Sequence, residues 1–136
     1  MINRQSRRSL RTGATAVEFA IVAPLFFVLV IASLEFGRLN IIRHTADQAA
    51  YEAARDAMVP GATAAEARAR AERMLRIIGT RGARVTVTPA VIDADTEEIS
   101  VEVDIPMNQN GWITPRFSKN ATIHAESRLK TERAID

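Results

Sequence analysis

The residues best placed for chemistry lie near the start of the chain, at Gly13, Ala14 and Glu18. From Ala14 to Leu34 the only ionisable residue is Glu18. A carboxylate in the bilayer interior costs on the order of 2.5–3.5 kcal/mol by insertion scales, so it needs a partner. If a peptidase cuts after Gly13, Ala14 gains an α-amine, and Glu18 follows it by one helical turn on the same face. That amine, on the same chain or on a neighbouring subunit, is the predicted partner of Glu18.

The run from Ala14 to Leu34 has the length of a transmembrane helix. At about 1.5 Å per residue it reaches roughly 30 Å, the thickness of a hydrocarbon core. Four basic residues and no acid precede Gly13: Arg4, Arg7, Arg8 and Arg11. The positive-inside rule therefore predicts a cytoplasmic N-terminus and an exported remainder. Pro24 lies within the run and is predicted to bend or loosen the helix.

Two simpler interpretations of the same run stay open. A secretory signal peptide has an apolar region of about 7–15 residues followed by a small-residue cleavage site. This run is longer, and "VIAS" (Val30 to Ser33) is a weak candidate for such a site. The other interpretation is an uncleaved single-pass anchor that carries a binding domain in the cell envelope. The mature N-terminus distinguishes these interpretations from cleavage after Gly13.

The string "GATAVEFAIVAPLFF…IASLEFGR", from Gly13 to Arg38, resembles the TadE-like family of minor pseudopilins of bacterial tight-adherence (Tad/Flp) pilus systems. Its beginning is similar to the class III signal of prepilins. The resemblance implies cleavage by a prepilin peptidase after Gly13, an assembly role for Glu18, and partnership with other pilins and pseudopilins. Phe19 stands where major pilins of this class often carry tyrosine. Together with the long chain beyond the helix, this favours a minor subunit.

Composition and motifs argue against several other functions. Of the 18 Lys and Arg residues, four precede Gly13, which leaves 14 against 16 acidic residues in the remainder. That balance does not favour nucleic-acid binding. The chain has no cysteine, Gly-rich phosphate loop, nucleophile motif or HExxH. We therefore expect no enzyme and no cofactor, although a secreted enzyme of unrecognised type remains a third interpretation.

Periodicity predicts the elements beyond the membrane segment. Small and apolar residues at three- and four-residue steps extend the first helix towards "VPG" (Val59 to Gly61). Thr63 and Glu66 form a predicted capping box for a second helix, which Gly79 and Gly82 end. Three stretches then alternate with period two, around Val85–Val87, Ile99–Ile105 and Ala121–Lys130.

These elements predict an α+β fold: a long N-terminal transmembrane helix that continues into a pilin-like domain with a second helix and a three-stranded antiparallel sheet. The expected organisation is a prepilin-type leader at 1–13, a transmembrane helix at 14–38 and an exported domain at 39–136.

Polar motifs in the exported part suggest few sites. "DADTEE" (Asp93 to Glu98) lacks the glycine and spacing of a calcium loop and is interpreted as a solvated turn. His44 and His124 lie on polar faces without matching ligands nearby in sequence, so no metal is expected. Trp112, in a long loop between strands, either covers the edge of the core or contacts a partner subunit.

Overall fold

The computed structural model describes residues 4–93, 95–112 and 120–130, with side chains described from Gly13 onward. In chain order the elements are α1 (Arg4–Ala57), α2 (Ala64–Ile77), β1 (Arg84–Thr88), β2 (Glu98–Pro106), a 3₁₀ helix (Met107–Gln109) and β3 (Thr122–Lys130). The α+β fold is confirmed, with its long N-terminal apolar helix, second helix and three-stranded antiparallel sheet. The chain divides between Phe36 and Gly37 into two compact units, both of which contain part of α1.

The N-terminal unit exposes its apolar surface. Its large apolar side chains from Val17 to Phe36 are 37–73% exposed. By length and composition, α1 is the one helix in the described part of the chain that could cross a membrane, with a mean hydropathy of 2.5 in its most apolar window. Pro24 lies inside α1 and has no N–H to donate, so the carbonyl of Ala20 loses its helical hydrogen bond. The bend at Pro24 stays a prediction.

In the C-terminal unit, α1 is buried along a face made almost entirely of alanine. Seven residues on this face are at most 1% exposed: Ile42, Ala46, Ala49, Ala50, Ala53, Ala54 and Ala57. The small and apolar residues at three- and four-residue steps are thus buried from Ile42 to Ala57, as predicted. Leu39, the first residue of this predicted stripe, is only half-buried. The small side chains let the backbone of α1 approach its neighbours in the core closely.

Local sequence signals fix both ends of α2. The Thr63 hydroxyl accepts a hydrogen bond from the Glu66 backbone N–H at 3.2 Å. The Glu66 carboxylate accepts one in return from the Thr63 N–H at 3.0 Å, which confirms the capping box. At the other end Gly79 has φ +72°, a left-handed conformation that glycine adopts without steric cost. On its buried face, α2 adds Ala67, Ala71 and Leu75 to the core.

The sheet has the order β1-β2-β3, with both pairs antiparallel. Its register places Val103 between Val85 and Ala125, and all three are buried. The period-two pattern therefore predicted the buried face of the sheet correctly. The third strand is shorter than predicted, because β3 begins at Thr122 and Ala121 is exposed.

Candidate functional site

The predicted cleavage site lies inside a helix. Because α1 begins at Arg4, the bond between Gly13 and Ala14 is part of its continuous backbone. Both residues are exposed, and nothing lies within 4 Å of a Cβ built on Gly13. Glycine in a helix interior is less stable than alanine by roughly 0.5–1 kcal/mol. Gly13 therefore makes α1 easier to open locally at this bond.

Glu18 lies four residues beyond Ala14 on α1. In an α-helix this spacing puts two side chains on the same face and within reach of each other. Glu18 is exposed, and its neighbours Val17 and Phe19 are 61% and 71% exposed. A carboxylate on an exposed apolar helix face can form an ion pair with a cationic group of its own chain or of another subunit.

The C-terminal unit holds a second polar feature, in which Arg38 contacts the loop after β2. The Arg38 Nε donates a hydrogen bond to the backbone carbonyl of Asn110 at 3.0 Å. The Arg38 Cζ lies 5.7 Å from the centre of the Trp112 ring, within cation–π range. The indole ring is 63% exposed. Arg38 thus connects α1 to the residues that follow the 3₁₀ helix.

Asn110 is the buried centre of this contact, with only 2% of its surface exposed. Its side-chain Nδ2 donates to the carbonyls of Arg81 at 2.8 Å and Pro106 at 2.7 Å. Its Oδ1 accepts from the Arg81 N–H at 2.8 Å. These bonds fasten the turn after α2 to the end of β2. We refer to Arg38, Arg81, Asn110 and Trp112 together as the Asn110 cluster.

Sequence reasoning did not find the Asn110 cluster. The available signal was weak: Asn110-Gly111 is a turn dipeptide, and Arg38 closes the "EFGR" string. Of the predicted site residues, Gly13, Ala14, Glu18, Phe19 and Pro24 lie in the N-terminal unit, and Trp112 lies in the C-terminal unit.

The acidic loop between β1 and β2 is closed by hydrogen bonds among its own residues. The Asp93 carboxylate accepts hydrogen bonds from the Asp95 N–H at 3.1 Å and from the Thr96 hydroxyl at 2.9 Å. Within residues 4–93, 95–112 and 120–130, no group of three or more His, Cys, Asp or Glu residues is placed to hold a metal ion. The loop arrangement is that of a closed polar turn.

Charged side chains pair across the solvent face of β2 and β3. The His124 Nδ1 lies 2.8 Å from the Asp104 Oδ1, and the register places the two residues opposite each other. This hydrogen bond, with added attraction from Asp104, Glu102 and Glu126, raises the pKa of His124 above its ordinary value. On the same face, hydrogen bonds from Arg128 and Ser100 lower the pKa of Glu126.

The N-terminal part of the chain is similar to a known protein family. Residues 13–55 match the family model described as TadE-like protein. The match begins at Gly13, includes Glu18 and Arg38, and ends two residues before α1 does. No curated protein and no solved structure matches the chain.

Proposed function

We propose that this chain, whose residues 13–55 match the TadE-like family model, is a minor pseudopilin of a Tad/Flp-type pilus assembly or secretion system. Proteins of this family are pilin-like structural components and not enzymes. In this role the chain acts by inserting into the membrane and packing against other pilins and pseudopilins. It is the substrate of a prepilin peptidase.

The proposed mechanism has two steps. A prepilin peptidase cuts between Gly13 and Ala14 and releases the arginine-rich leader on the cytoplasmic side. The new α-amine of Ala14 then pairs with Glu18, either on its own chain or on an adjacent subunit. In lipid an unpaired amine and an unpaired carboxylate are both costly, so the pair holds subunits in one axial register.

One observation carries the proposal: Gly13, Ala14 and Glu18 lie in order on one exposed apolar helix, within the range that matches the family model. A plain anchor has no use for Glu18, because a carboxylate weakens insertion without adding a contact. The pseudopilin function gives a use both to the glycine and to the acid.

Mass spectrometry of the N-terminus, on protein from native membranes, tests the first step. We expect the mature chain to begin at Ala14, and Gly13→Leu to leave the full-length protein in the membrane. The control is Gly37→Leu, since a Cβ built on either glycine meets nothing within 4 Å. Normal maturation of Gly13→Leu would contradict the proposal. A wild-type chain that keeps its leader would favour the uncleaved anchor instead.

The proposed topology places residues 39–136 outside the cytoplasm. A reporter enzyme that is active only outside the cytoplasm, fused after Asp136, is expected to work. Activity of a cytoplasmic reporter alone at the same position would refute this topology.

A further inference from the structure

We propose that Trp112 anchors the exported domain to the membrane surface, with its indole ring in the lipid headgroup layer and the Arg38 and Arg81 guanidinium groups facing lipid phosphates. The inference rests on the proposed function in one respect, namely that residues 14–34 cross the membrane. It adds a second membrane contact, made by a loop of the folded domain and separate from the transmembrane helix.

The length of chain between Leu34 and Arg38 places Arg38 near the membrane surface. Arg38 follows the last residue of the apolar run by four positions. Four residues rise about 6 Å in a helix and reach at most about 14 Å when fully extended. The headgroup layer is about 5–8 Å thick on each side of the hydrocarbon core. The backbone of Arg38 therefore lies in or just above this layer.

The contact between Arg38 and Trp112 keeps the indole ring close to Arg38, and so within reach of the headgroup layer. The Arg38 Cζ lies 5.7 Å from the Trp112 ring centre. The ring is nevertheless 63% exposed. An amphipathic indole ring with most of its surface exposed suits the membrane–water interface, where tryptophan is enriched.

The Asn110 cluster holds the ring in place. Asn110 lies two residues before Trp112, is 2% exposed, and is fixed by three side-chain hydrogen bonds. The same bonds fix the backbone of Arg81, whose side chain is exposed. The guanidinium groups of Arg38 and Arg81 are thus carried by α1 and by the turn after α2, which the Asn110 cluster connects. Guanidinium groups pair strongly with phosphate. Lipid is favoured over a partner subunit because Arg38 follows Leu34 by only four residues, so that in every monomer the bilayer is near the contact between Arg38 and Trp112.

Trp112 is the only tryptophan of the chain, so its fluorescence reports this loop alone. The full chain is reconstituted into phosphatidylcholine nanodiscs that contain lipids with a quencher either near the headgroup or deep in the acyl chain. We expect the shallow quencher to reduce the emission more than the deep one. We also expect weaker quenching by aqueous acrylamide than in the control variant.

The control moves the tryptophan away from the membrane. The double variant Trp112→Phe/Tyr51→Trp places it at Tyr51, which is 49% exposed. This position lies thirteen residues beyond Arg38 on α1, about 20 Å at 1.5 Å per residue. Its emission is expected to respond to acrylamide and to neither lipid quencher. Circular dichroism establishes that both proteins have the same helix and strand content.

Three outcomes would overturn the inference. If the protein co-migrates with nanodiscs but Trp112 responds to acrylamide and not to lipid quenchers, the loop is in water, while the membrane span stands. If Trp112 is shielded from all quenchers only at high protein-to-disc ratios, a second subunit covers it. If the protein does not enter nanodiscs, the span itself fails, and the proposed function fails with it.

Discussion

Replacing Asn110 with alanine tests whether the Asn110 cluster holds the domain together. The substitution removes three side-chain hydrogen bonds and leaves the Arg81 N–H and the Arg81 and Pro106 carbonyls without these partners. A typical intramolecular hydrogen bond contributes about 0.5–1.5 kcal/mol net, and an unsatisfied buried group costs about 1–3 kcal/mol. Because the Arg81 side chain is exposed, water can reach part of this region. We therefore expect a loss of about 2–4 kcal/mol in the free energy of unfolding.

Urea unfolding followed by circular dichroism measures this loss. With an m-value of about 2 kcal/mol per molar urea, the midpoint should fall by about 1–2 M. The matched control is Asn108→Ala, an exposed asparagine in the adjacent 3₁₀ helix, which should change stability by less than about 0.5 kcal/mol. Equal midpoints for the two variants would refute the structural role assigned to Asn110.

Two further predictions concern charge. Glu18→Gln should be cleaved and inserted normally, because it changes neither Gly13 nor the apolar character of the helix. In the proposed function it should nevertheless co-purify poorly with the other pilins, since the partner of the Ala14 amine is lost. Wild-type co-purification at equal abundance would show that the charge is not the assembly device. The hydrogen bond with Asp104 raises the pKa of His124 above its ordinary value of 6.5. The stabilisation from this pair is therefore present in full below pH 6.5, and it is lost as the pH rises through the raised pKa of His124. Across that pH range, the denaturation midpoint should fall as the pH rises for the wild type and for the control His44→Gln. It should not fall for His124→Gln. The same change of midpoint with pH in all three proteins would refute the stabilising role of the His124–Asp104 pair.

The sequence predicted the elements whose signals are local. The capping box at Thr63 and Glu66 involves residues three positions apart, and the strands follow from alternation within a few residues of each other. The alanine stripe on α1 also follows from spacing along one helix. The errors lay at element ends and at the edge of the stripe. The alternation continues at Ala121 but the pairing with β2 does not, and Leu39 is only half-buried.

The Asn110 cluster could not be predicted in this way, because its contacts join distant parts of the chain. Arg38 is 72 residues from Asn110 along the chain, and Arg81 is 29 residues away. Asn108 and Asn110 have the same chemistry and lie two positions apart, yet the first is exposed and the second is 2% exposed. Only the folded position of the turn after α2 distinguishes them.

The alanine face of α1 also limits which sequences this domain can accept. Six alanines there are at most 1% exposed, so almost any replacement other than glycine or serine adds atoms where there is no room. Overpacking of this kind costs about 1–3 kcal/mol per site. Larger side chains at these positions should therefore destabilise the domain, whether or not the residues also contact another subunit. The match to the family model reaches residue 55, well past the end of the apolar run at Leu34, and so covers most of this face. The range that matches the family model therefore includes both the exposed apolar run and the part of α1 where close packing restricts the choice of side chain.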